Sequence, residues 1–193
     1  RRRGQELRHH RGGSDGIVIA GPNTKAVVEA NSISEVLYVG IKVSDGASAD
    51  ITRNDIARTD TGGYGIQFSQ GAHGSVSGNT LTGVRNTGIR LIDADTAATV
   101  SGNSVDGSRV GIEARPREIT ITDNTIVNSQ QFGILLGPDA TVEVTGNTIS
   151  GPQDIQSAAT GQTDFGGAFN GAVAKLVAAG APITAVISYY GVD

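Results

Sequence analysis

Hydrophobic positions along this chain recur with one long period and, inside it, a short alternation. A Gly-Ile pair opens each period, at Gly16-Ile17, Gly40-Ile41, Gly65-Ile66, Gly88-Ile89, Gly111-Ile112 and Gly133-Ile134, spaced 24, 25, 23, 23 and 22 residues apart. An asparagine follows in step: Asn31, Asn54, Asn79, Asn103, Asn124 and Asn147. Three residues before it stands Val28, Ile51, Val76, Val100, Ile121 or Val144, and two after it Ile33, Ile56, Leu81, Val105, Ile126 or Ile149. Within each period apolar and polar residues alternate, as in Ile89-Arg90-Leu91 and Ile119-Thr120-Ile121. A period of two marks half-buried strands, and a fixed repeat of this length marks a stacked array. Three short β-branched strands per period, separated by Gly, Asn, Asp and Ser, predict a parallel β-helix. Each strand then pairs with its counterpart in the next coil, and six coils give a rod of roughly 30 Å.

The ends break the pattern. Residues 1–15 have no periodicity and form a basic, irregular segment. The β-helix is expected over 16–157, with a seventh first-sheet strand beginning near Asp154-Ile155-Gln156-Ser157. Residues 158–193 are expected to cap the last coil. Within them 158–166 read as a loop, Ala168 to Gly180 as a helix with Phe169, Val173, Leu176 and Val177 on one face, and Ile183 to Tyr190 as a strand. No helix is written before the first coil, so further coils or a cap are expected upstream of Arg1 in the parent protein, because an open coil exposes sheet edges. The fold class is therefore all-β, a right-handed parallel β-helix of six to seven coils with a helix-containing C-terminal cap.

Composition sharpens this picture without changing it. The 28 glycines fall in phase with the strands and read as turns, not disorder. Cysteine, methionine and tryptophan are absent, which excludes a disulfide framework and any thiolate metal site. The net charge of −4 is uneven: residues 1–11 carry five arginines against Glu6, so the other 182 residues carry −8. An acidic solenoid disfavours nucleic acid as partner. The basic arm, with its His9-His10 pair, reads as a polyanion contact or as a ragged end left by an upstream cut. No apolar run reaches membrane-spanning length, and no signal peptide is visible.

With the six G-I-x-apolar strands and the N-x-apolar turns set out, the chain resembles the right-handed parallel β-helix, or pectin-lyase-like, superfamily over about Gly16 to Ser157. The resemblance implies that the Gly-Ile strand is the first sheet, the segment before Asn the second and the segment after it the third. Asn then sits in the turn between second and third, stacked on its neighbours, with a left-handed backbone that Asn tolerates. The nearest functional relatives it implies are polysaccharide lyases and mannuronan C5-epimerase-like proteins. The epimerase-type D-P-H motif and the pectate-lyase arginine motif are both missing here. A secreted or periplasmic location and a polysaccharide partner are the matching expectations.

Chemistry in such a fold must come from outward positions. One outward column of the first sheet reads Val18, Lys42, Gln67, Arg90, Glu113, Leu135, and the next Ala20, Ser44, Ser69, Ile92, Arg115, Gly137. Lyases and epimerases of uronate polymers neutralise a sugar carboxylate with cations and then remove the adjacent proton. Lys42 or Arg90 is the candidate base, Arg115 the carboxylate holder, and Gln67 and Ser69 candidate substrate contacts. Glu113 is the one carboxylate on this face, so two-carboxylate glycoside hydrolysis is disfavoured. The bland alternative is a solvated charge ladder of Arg90, Glu113 and Arg115. The following turn holds His73, Asp93, Asp95, Arg117 and Glu118. There His73 and Asp95 fall in neighbouring coils as a candidate acid–base pair or a surface hydrogen bond. Asp93-x-Asp95 offers oxygens of the kind Ca²⁺ takes, but two carboxylates do not complete a site, and no cofactor is expected. Tyr38, Tyr64 and Phe132 are expected, by alternation, to point inward. The competing expectation is a non-catalytic structural or adhesive module of a longer surface or phage protein.

Overall fold

A computed structural model describes residues 15–59, 62–116, 118–137, 141–150 and 155–157. Residues 1–14 of the expected basic arm and the expected loop, helix and strand of the cap lie outside these residues, while Asp15, the arm's last expected residue, already belongs to the first strand.

Nineteen strands are present among the described residues, three in each of six coils and one that opens a seventh. The first sheet holds β1 (Asp15–Ala20), β4 (Val39–Ser44), β7 (Tyr64–Phe68), β10 (Thr87–Leu91), β13 (Val110–Ala114), β16 (Phe132–Leu136) and β19 (Ile155–Ser157), stacked in that order. The second holds β2 (Lys25–Glu29), β5 (Ser48–Thr52), β8 (His73–Ser77), β11 (Ala97–Ser101), β14 (Glu118–Thr122) and β17 (Thr141–Thr145). The third holds β3 (Ser32–Ser34), β6 (Asp55–Ala57), β9 (Thr80–Thr82), β12 (Ser104–Asp106), β15 (Thr125–Val127) and β18 (Thr148–Ser150). All pairings are parallel and join equivalent residues of successive coils: Ile17, Ile41, Ile66, Ile89, Ile112, Ile134 and Ile155 form one column. This is the expected parallel β-helix, and its seventh first-sheet strand is in place.

The core is a stack of these columns. Ile41, Ile51, Ile56, Ile66, Leu81, Ile89, Ile112, Ile121 and Ile126 have no exposure at all. One coil cannot bury its inward side chains alone, so stability comes from coil stacked on coil.

The asparagines form the expected ladder, now with its bonds explicit. Each side-chain amide donates to Oδ1 of the next asparagine at 2.9 Å, from Asn31 through Asn147. The same Oδ1 also accepts the main-chain N–H of the asparagine below. Each Nδ2 from Asn54 on also reaches the carbonyl of a core residue one coil back, as Asn103 does to Val76 at 2.9 Å. Asn54, Asn79, Asn103 and Asn124 are buried, and each amide is satisfied. One expectation is corrected. The left-handed residue in this turn is not Asn but the residue before it: Ala30, Arg53, Gly78, Gly102, Asp123 and Gly146, with φ between 54° and 65°. The asparagine bonds across coils while its predecessor makes the bend.

The glycine of each Gly-Ile pair has a different reason. A Cβ on Gly88 would lie 2.5 Å from Val105 Cγ1 and 2.7 Å from the Gly111 carbonyl oxygen, and one on Gly40 would meet Gly65 and Ile56 in the same way. These contacts lie in the core, so glycine and the isoleucine after it both face inward. The alternation slips by one residue at the strand entrance. Tyr64, before Gly65, is therefore turned out, against the expectation that it points inward. Tyr38 is likewise 58% exposed.

Candidate functional site

The slip at Gly65 adds a third column to the outer face of the first sheet. Val39, Tyr64, Thr87, Val110 and Phe132 occupy equivalent places in successive strands. Beside them run Lys42, Gln67, Arg90, Glu113 and Leu135, in register from coil to coil. Several members of this nominally outward face are shielded. Gln67 is 9% exposed, Glu113 6%, Thr87 1% and Ser69 3%. Val39 and Val110 are buried yet stand apart from the hydrophobic core cluster.

Arg90 is the hub. Its Nε donates to Glu113 Oε2 at 3.0 Å, and its guanidinium carbon lies 4.5 Å from the centre of the Tyr64 ring. Its Nη1 approaches Gln67 Oε1 at 3.5 Å, the outer limit of a hydrogen bond. Arg115 Nε donates to the other carboxylate oxygen of Glu113 at 2.6 Å. Both Glu113 oxygens are therefore occupied, and two cations share one buried anion. The side chain of Arg90 is 20% exposed and that of Arg115 56%. A guanidinium has five N–H donors in a planar fork, so each arginine keeps donors beyond its bond to Glu113. The cluster has a surplus positive charge and an aromatic ring beneath it, and that combination suits an anionic, ring-bearing ligand. Lys42 lies two coils below Arg90 on the same column and is half-buried.

The remaining expected residues are not gathered here. His73 opens β8, is exposed, and registers with Ser48 and Ala97. Asp95 lies in the neighbouring coil, two residues short of that register position. No hydrogen bond joins the two among the described residues. Asp93 accepts the main-chain N–H of Gln70 at 2.8 Å and has a left-handed backbone, φ 72°, so it braces one turn against the next. Asp95 is exposed. Ser69, buried, has its N–H bonded to the Val43 carbonyl. Sequence reasoning misplaced Tyr38, which is exposed, Phe132, which shares this outer column, and above all Tyr64. The available signal was the glycine after it, whose recurrence at every strand entrance implied a packing constraint on which way that strand faces.

A family model described as right handed beta helix region matches residues 10–171. The chain belongs to the right-handed β-helix family. This right-handed β-helix is also similar to an uncharacterized protein, YclG, of Bacillus subtilis (strain 168), with 27% identity over 95 residues. The match covers 44% of the present chain and 16% of that relative, so this β-helix spans only a small part of the relative's length. No solved structure matches the chain. Among the described residues of this β-helix, no helix is long and apolar enough to cross a membrane.

Proposed function

We propose that this β-helix is a carbohydrate-associated protein that works outside the cytoplasm and holds a uronic-acid polysaccharide on the outer face of its first sheet. The observation that carries the reading is the Arg90–Glu113–Arg115 cluster. Its buried carboxylate orients two guanidinium groups, fixing them in place before a ligand arrives. Preorganised donors of this kind bind a carboxylate with little loss of side-chain freedom. Tyr64 and Gln67 flank Arg90 and supply an apolar ring edge and an amide for sugar hydroxyls. In a β-elimination or C5 epimerisation, Arg90 and Arg115 would compensate the substrate carboxylate. Lys42 would be the group left to take the adjacent proton, since Arg90 is committed to Glu113.

A second reading, a non-catalytic structural or adhesive module of a longer surface protein, is favoured by one observation. The turns leading from the first sheet are short: residues 21–24, 45–47, 69–72 and 92–96 are all that separate its first four strands from the second sheet. Turns of this length raise no wall to exclude water around a reacting sugar.

The two readings separate in an ultraviolet assay for unsaturated uronate, run on alginate and polygalacturonate with wild type, Arg90→Ala and Lys42→Ala. Product from wild type that both variants lose supports elimination. Binding without product, lost in Arg90→Ala, and with no solvent-proton exchange into the polymer, supports holding alone. Wild type that neither binds nor alters either polymer overturns the polysaccharide reading. Arg90→Lys should fail to restore binding, because an ammonium cannot bridge Glu113 and a ligand with a planar fork.

A further inference from the structure

We draw no further inference here: the strongest candidate, the exposed apolar patch at the N-terminal end of the solenoid, with Val18 on the outer face of β1 and Leu37 and Tyr38 in the turn that enters β4, carries nothing, because nothing in the structure shows what covers it.

Discussion

At the scale of single residues, position within a coil decides what a side chain contributes. Asn103 illustrates this: its Oδ1 accepts both the amide and the main-chain N–H of Asn79, and its own Nδ2 donates to Asn124 and to the Val76 carbonyl. Asn103→Ala strands several buried groups, so a loss of about 2–4 kcal/mol is expected in urea unfolding, from a per-group cost of roughly 1–3. Asn31→Ala, at the half-buried first rung, should cost clearly less; equal losses would show that the ladder is not what the substitution removes. Two serines present the opposite case. Ser108 and Ser129 are buried in successive turns, and neither hydroxyl has a partner among the described residues. Val84, which likewise follows the left-handed glycine of its turn, occupies the equivalent place one coil earlier and belongs to the core. Ser108→Val should therefore raise stability by about 1 kcal/mol, read as a higher melting temperature, by exchanging an unsatisfied hydroxyl for apolar contact. A fall would mean that the hydroxyl has a bonding role there.

At the scale of elements, the strand entrance is where reading from sequence succeeds and then stops. The alternation Ile66-Gln67-Phe68 places Gln67 outward, and Gln67 does meet Arg90 on the outer face, shielded though it is there. Counting back through Gly65 places Tyr64 inward, and the structure does not. A Cβ at Gly65 would lie 2.3 Å from Leu81, so the glycine has already turned toward the core and the parity is broken. That single slip puts an aromatic ring under Arg90. The cluster was legible in part: Arg90 and Glu113 fall at the same place in adjacent repeats, so their contact follows from register alone. The depth of Glu113 was not legible. Its burial depends on how the side chains of three neighbouring columns shield one another, and no spacing encodes that. His73 and Asp95 show the reverse limit. They fall in neighbouring coils, as their numbering implies, yet they are offset along the strand and form no bond among the described residues.

At the scale of the whole molecule, the coil is the unit of construction. Deleting residues 88–110 removes one full period and joins Thr87 to Gly111, which restores the Gly-Ile register and brings Asn79 beneath Asn124. This shortened protein should fold with an unchanged β-type circular dichroism signature and a lower melting temperature, because a solenoid's stability is close to a sum over coils and their interfaces. It should also lose polysaccharide binding, since Arg90 leaves with the coil. Aggregation or an unfolded spectrum would show that coils here are not interchangeable. The sequence by itself determined the period, the three strands per coil, their parallel register and the asparagine ladder. Each of these follows from which residues recur at a fixed spacing, and translation along the solenoid converts recurrence directly into contact. Only the tertiary structure decided which way Tyr64 faces, that Glu113 is buried between two arginines, and that the left-handed turn residue precedes each asparagine. Those outcomes depend on how neighbouring columns crowd one another across the coil, a direction in which the repeat has no periodicity.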